Sequence, residues 1–408
     1  MNYLVRNVTT KLSKTKFPSV KKTVLLLSMS LFSVSATAQL SFFHTKPVGA
    51  VFSMTNAVDG NEVVVYGRSL DGNLTYQASY ATDGLGGLNV EGDANDALGS
   101  QSPLVLSKNG RCLFAVNAGD NSISSFIVDK GNELKLAQNI SSNGSFPVSI
   151  AINRDLLYVL NAGDQGNISG FNITRHCGLS AIDNSTRELG AEGTTPPSFI
   201  QSPAQVAFTP DGDALVVTLK GDNAIKVFSL KEDIPDNVTT TPSNGLIPFG
   251  FTFKRDYLLV AEAFGNATDI GTPETGAVSS YEILADGSLQ LISASVENKQ
   301  TATCWLATAR YSPFVFSSNN GSSSISGYHL NRYNGKLTLL DNGGVSGSTG
   351  QAPVDFGLTK YGRYLYSVNA GDGTISMFRV NPWSGALESL GEVDGLPVNG
   401  GAVGIAIK

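Results

Sequence analysis

Histidine is scarce in this sequence, with three among 408 residues, and cysteine is equally rare at three. So few ligands leave no room for a multi-histidine metal centre or a dense disulfide scaffold. Charge is thin too: Asp, Glu, Lys and Arg make up 15% of the chain, against about 25% in an average soluble domain. No long segment carries a 3.6-residue apolar period, which excludes a helical bundle or coiled coil. There is no G-x-S-x-G elbow, no phosphate loop and no Cys-x-x-Cys pair, so serine-nucleophile, nucleotide and redox-motif readings lack support. The formal net charge of −6 speaks against a non-specific nucleic-acid binder. What abounds is turn chemistry: 44 Gly and 16 Pro amount to about one residue in seven.

The first 38 residues read as an address. Arg6, Lys11, Lys14, Lys16, Lys21 and Lys22 precede an apolar run, Thr23–Val34, and then Ala36-Thr37-Ala38. A basic region, a short apolar core and a small-x-small site form a secretory signal, with cleavage expected after Ala38. The apolar run is too short to span a bilayer, which needs about 20 residues. The expected product is a secreted or periplasmic monomer without a membrane span. Residues 39–408 keep 22 basic and 34 acidic side chains, a net charge of −12. Cys112 and Cys304 lie in apolar strand-like runs and read as buried thiols; Cys177, in a loop, could pair but shows no compelling partner.

Self-similarity organises the rest. Gln101-Ser-Pro, Gln201-Ser-Pro and Gln351-Ala-Pro each open a unit of the same form. The frame also fits Phe146–Ile173, Ile247–Ile283 and Thr303–Leu330. Anchors at 103, 147, 203, 248, 304 and 353 are 44 to 56 residues apart, giving six units. Each reads as four short strands joined by Gly, Asn and Asp turns, the third ending near an aromatic: Phe126, Phe171, Phe228, Tyr281, Tyr328 or Phe378. Such units are propeller blades. A seventh is split: residues near 51–74 supply later strands, and Gly400–Lys408 resembles an isolated first strand. The expected fold is all-β, a single seven-bladed propeller over 39–408, closed by pairing of its two chain ends.

The stretches LYVLNAGDQGNISGF (157–171), FTPDGDALVV (208–217) and LYSVNAGDGTISMF (365–378) resemble YVTN-type propellers and the seven-bladed lactonase family, which includes 6-phosphogluconolactonase and carboxymuconate cyclases. The resemblance covers residues 48–408 and implies hydrolysis of a lactone or related ring at the channel mouth. It also implies His and Arg at the starts of inner strands. Those starts here read Ser-Pro-Leu, Ser-Pro-Ala and Ile-Pro-Phe, and none of His44, His176 and His329 falls at one. Glu262, in LLVAEAFGN, matches the acidic residue that the family often has after a second strand, and is the candidate general base.

Turns between second and third strands should ring one mouth of the channel. They bring Asn117, Asp120, Asn161, Asp164, Lys220, Asn369 and Asp372 into the candidate binding set. For the Asn and Asp residues, tight-turn geometry is a competing explanation. Lys220 is a candidate ion-pair partner for Glu262. Gln205 and Asp355, two places after their anchors, and Trp305, which opens unit six, are further candidates facing the channel. No cofactor is expected, although oxygen ligands at the mouth could take a divalent cation. Two insertions, 174–200 and 264–276, could cover the mouth. Two functions remain open: a lactone hydrolase, or a non-catalytic propeller that binds a glycan, peptide or envelope protein.

Overall fold

The computed structural model describes residues 46–309 and 311–408. The expected signal segment, 1–38, lies outside the described residues. Thr45–Lys408 form one compact unit. The described residues make seven antiparallel sheets, the blades of a propeller. Blade one takes its innermost strand, Val403–Ile407, from the C-terminus and its outer three, Gly49–Met54, Glu62–Arg68 and Leu74–Ala81, from the N-terminal side. The pairing of Val51 with Ile407 and Phe52 with Ala406 closes the ring, as the split repeat predicts.

Blades two to seven follow in chain order, with innermost strands Leu104–Leu106, Pro147–Asn153, Pro203–Phe208, Pro248–Lys254, Thr303–Thr308 and Pro353–Leu358. Blade six departs slightly from the sequence frame. Thr303, not Cys304, pairs with the last residue of the second strand, as Pro147 and Pro353 do in their blades. Most of these inner strands bulge just past the anchor, so that Val148, Ala204 and Cys304 fall outside the regular ladder and Ser149, Gln205 and Trp305 resume it. The stretch 174–200 is not wholly an insertion. It holds blade three's outer strand in two pieces, Leu179–Ala181 and Arg187–Glu188.

The core lies between blades. Alternation sends one face of each strand into the gap to its neighbour. All six third-strand aromatics are buried there. Truncating any one of them to Ala should cost about 3–5 kcal/mol.

One expectation about cysteine is overturned. Cys112, at the start of blade two's second strand, is bonded to Cys177, in the turn after blade three's third strand. The two lie 65 residues apart in sequence, yet adjacent blades bring their Cα atoms to 5.4 Å. Cys304 is a buried free thiol, as expected.

Candidate functional site

The upper face carries the starts of the inner strands and the turns between second and third strands. At this mouth the chain closes its own channel. Residues 96–102, which link blade one to blade two, cross the axis and bond to inner strands of five blades. Ser100 Oγ donates to Val148 O at 2.8 Å, and Ser149 Oγ donates to Gln101 O at 2.7 Å, both in blade three. Gln101 N donates to Ala204 O in blade four. The Gln101 side-chain amide donates to Leu306 O (2.9 Å) and Phe251 O (3.4 Å), and its Oε1 accepts from Leu306 N. Trp305 Nε1 donates to Ser100 O at 2.7 Å, and Asp355 Oδ1 accepts from Ser102 N at 3.1 Å. Gly250 makes room for this crossing, since a Cβ there would stand 2.0 Å from Gln101 Oε1.

Trp305 and Asp355 therefore do face the axis, but they hold the chain's own segment. Gln205 Oε1 accepts from Phe251 N and ties blade four to blade five. Asp355 is buried, and desolvation raises its pKa to about 7 although Ser102 N and Gly404 N both donate to it.

Lys220 lies under this plug. It follows blade four's second strand, where blades two, three, five and seven have Ala118, Ala162, Ala263 and Ala370. Its Nζ donates to Gly99 O at 2.5 Å and sits 4.5 Å and 4.7 Å from the ring centres of Phe199 and Phe249. A Cβ on Gly99 would meet Nζ at 2.7 Å, and Gly99 also has a φ of +56°. Among the described residues no carboxylate lies within ion-pair distance of Lys220; the sole such pair is Arg379–Glu388. Asp96, buried on the plug, is the largest influence of opposite sign. Desolvation pushes Lys220 down and Asp96 up, while each group's charge opposes the other's shift. Asp96 Oδ1 accepts from Gly99 N, but Oδ2 is buried without a hydrogen-bond partner among the described residues. Above them Glu91 accepts from Ser198 Oγ and Phe199 N, so 89–101 and 194–202 form one cover.

Glu262 is elsewhere, and it is not paired with Lys220. It ends blade five's second strand, in the register position that Asn161, Asn319 and Asn369 hold in theirs. Its carboxylate accepts from Gly245 N (2.9 Å), Ser295 Oγ (2.6 Å) and, more weakly, Ser243 Oγ (3.5 Å). Burial raises its pKa against these donors.

The Asn side chains are also turned inward. Asn117 Nδ2 donates to Ser122 Oγ and Ser124 Oγ, and Asn369 Nδ2 to Thr374 Oγ1 and Ser376 Oγ. Asn161 Nδ2 donates to Asn167 Oδ1. These three fasten the second strand to the third within a blade and do not line an open ring. Asp120 and Asp164 are exposed on the rim; Asp372 accepts from Gln351 N. Asp120 also borders a shallow acidic recess of about 330 Å³ with Glu62 and Asp83. Among the described residues no group of three or more His, Cys, Asp or Glu side chains is arranged to hold a metal ion.

Asp96 and the crossing segment escaped sequence reasoning. The Gln-Ser-Pro signature marks where the crossing ends, yet nothing in the repeat indicates that its first copy spans the axis.

The seven sheets define a seven-bladed propeller. The chain belongs to the family described as Lactonase, 7-bladed beta-propeller, which matches residues 60–193 and 276–400. Solved structures agree in fold. The Pseudomonas aeruginosa periplasmic gluconolactonase PpgL shares 15% identity and a TM-score of 0.66 over 88% of this chain and 98% of its own. A candidate 6-phosphogluconolactonase from Bacteroides uniformis shares 18% identity at a TM-score of 0.66, over 88% of this chain and 99% of its own. A Lactobacillus plantarum protein shares 16% at 0.67, over 88% and 99%. No curated protein matches the sequence.

Proposed function

We propose that this exported propeller opens a lactone ring by hydrolysis at the channel mouth, beneath the cover formed by 89–101 and 194–202. The observation that carries the reading is Lys220, a buried ammonium without an ion-pair partner among the described residues. A buried unpaired charge costs several kcal/mol, and a small residue serves the same position in most other blades. Lys220 is the group that holds the negative charge developing on the lactone carbonyl oxygen.

Asp96, with one buried oxygen unpartnered, is the base. It takes a proton from water as the water oxygen adds to the acyl carbon. The acyl–ring-oxygen bond then breaks, and the proton passes to that oxygen, leaving a hydroxy acid. Glu262 keeps its hydrogen bonds within blade five in this reading. Residues 96–102 have to lift for a ring to reach Lys220. Export is supported by the Cys112–Cys177 bond, which suits an oxidising compartment. An N-terminus beginning at Gln39 in the mature protein would establish it.

The test is turnover on a panel of anionic and uncharged lactones by the wild type, Lys220→Met, Asp96→Asn and Glu262→Gln. The first two changes should abolish activity and the third should retain most of it. A second reading, a binding propeller without turnover, is favoured by the crossing segment, which fills the mouth with hydrogen bonds to five blades. It would prevail if folded wild type opened no lactone.

A further inference from the structure

The opposite face has a site of a different kind. At the junction of blades seven, one and two, the turns between first and second strands and between third and fourth strands enclose a cavity of about 1220 Å³. Arg68, Lys108, Lys360, Arg363, Arg379 and Lys408 line it, and no acidic residue does. The cavity thus gathers six of the 22 basic side chains of residues 39–408 and none of their 34 acidic ones. Among the described residues only Arg379 has a carboxylate within ion-pair distance, Glu388 at 2.9 Å. Arg68 Nε is buried without a hydrogen-bond partner among the described residues, while its Nη2 reaches Lys408 O at 3.4 Å.

A second observation concerns the same face, where Leu70 and Tyr361 border the cavity. Leu70, Tyr311, Tyr333, Tyr361 and Trp383 all lie in lower-face turns of blades six, seven and one, and each is at least 67% exposed. Trp383, at 91%, is the most exposed large apolar side chain among the described residues. Tyr311 and Tyr361 stack at 6.0 Å with ring planes 17° apart. Large side chains this exposed on one face mark an interaction surface.

We infer that this cavity binds an anionic oligosaccharide, with its carboxylate, sulfate or phosphate groups on the cations and its sugar rings on the tyrosine and tryptophan faces. Cations around a recess match discrete charged groups. The exposed Trp383 ring and the Tyr311–Tyr361 stack, whose Tyr361 lines the cavity under Lys360, match the flat apolar faces of sugars. A bilayer fits less well, because its surface cannot enter a concavity and would meet residues 39–408, whose net charge is −12. Salt screens charges beyond about 8 Å, so a ligand inside the cavity feels the local cations and not the acidic remainder. The inference is independent of the reading of the mouth, which lies on the other face.

The test titrates purified protein with a galacturonate hexamer, a sulfated hexasaccharide and a neutral glucose hexamer, read by calorimetry and tryptophan emission. Anionic phospholipid vesicles form a further arm. Lys360 and Arg363 are exposed, so the Lys360→Ala/Arg363→Ala protein keeps the fold. The expected result is binding of one or both anionic oligosaccharides, no binding of the neutral one, and about tenfold weaker affinity for each cation removed. Which anionic oligosaccharide binds identifies the charged group. Equal binding of the neutral hexamer, an unaffected double variant, binding to vesicles alone, or no binding would each overturn the inference.

Discussion

Breaking the Cys112–Cys177 bond should measurably loosen the propeller, and the size of the effect follows from the chain. The bond closes a span of 65 residues. The chain-entropy relation for a loop of that length gives about 4 kcal/mol of stabilisation through the unfolded state. At about 2 cal/mol/K of unfolding entropy per residue, a propeller of this size should lose about 5 °C in melting temperature. Reduction is a cleaner perturbation than mutation, since both sulfurs are buried and replacing them would also disturb packing. The seam that loosens joins blades two and three, where Gln138 Oε1 also accepts from Leu179 N at 2.7 Å. The assay is scanning calorimetry of native and reduced protein, with thiols counted under denaturing conditions. One thiol before reduction and three after, with the lower melting temperature, is the expected outcome. Three thiols in freshly isolated protein, or an unchanged melting temperature after complete reduction, would refute the reasoning.

Further outcomes follow from other buried groups. Asp355 binds its proton more tightly folded than unfolded, with a pKa raised from 3.8 to about 7, so its contribution to stability is full below pH 4 and is lost as pH rises to 7. The loss amounts to about 4 kcal/mol, and denaturant melts of Asp355→Asn across that range should show a flatter slope than wild type. Asn369→Ala removes the bonds to Thr374 and Ser376 and should cost about 1–3 kcal/mol, read from the denaturation midpoint. Gly250→Ala drives a Cβ into Gln101 Oε1 and should displace the crossing segment, exposing buried Trp305 and shifting its emission to the red.

The architecture was legible because every blade repeats a complete pattern of anchor, strand and turn. Even the split blade showed itself, since Gly400–Lys408 has the form of an inner strand without followers. Lys220 and Trp305 were found as mouth residues, though their contacts were not. The inward bonds of the asparagines were not legible in those residues alone, because turn chemistry and strand fastening use the same residue. Their signal was present all along, as Ser or Thr five and seven places after Asn117, Asn319 and Asn369. Glu262 at the same register position takes its bonds from Ser295 and Gly245 instead, which no local pattern announces. The disulfide, the crossing segment and the lower-face cavity were illegible for one reason. Each joins residues from different blades, and blade-to-blade proximity is set by ring geometry rather than by spacing along the chain.

The central claim is that Lys220 is retained for chemistry and not for stability. The decisive measurement compares lactone opening and thermal stability in wild type and Lys220→Met. Replacing the buried ammonium, whose desolvation costs several kcal/mol, by an apolar chain of similar length should leave stability undiminished while abolishing turnover. A variant that still hydrolyses lactones at the wild-type rate, or that loses stability together with activity, would contradict the account.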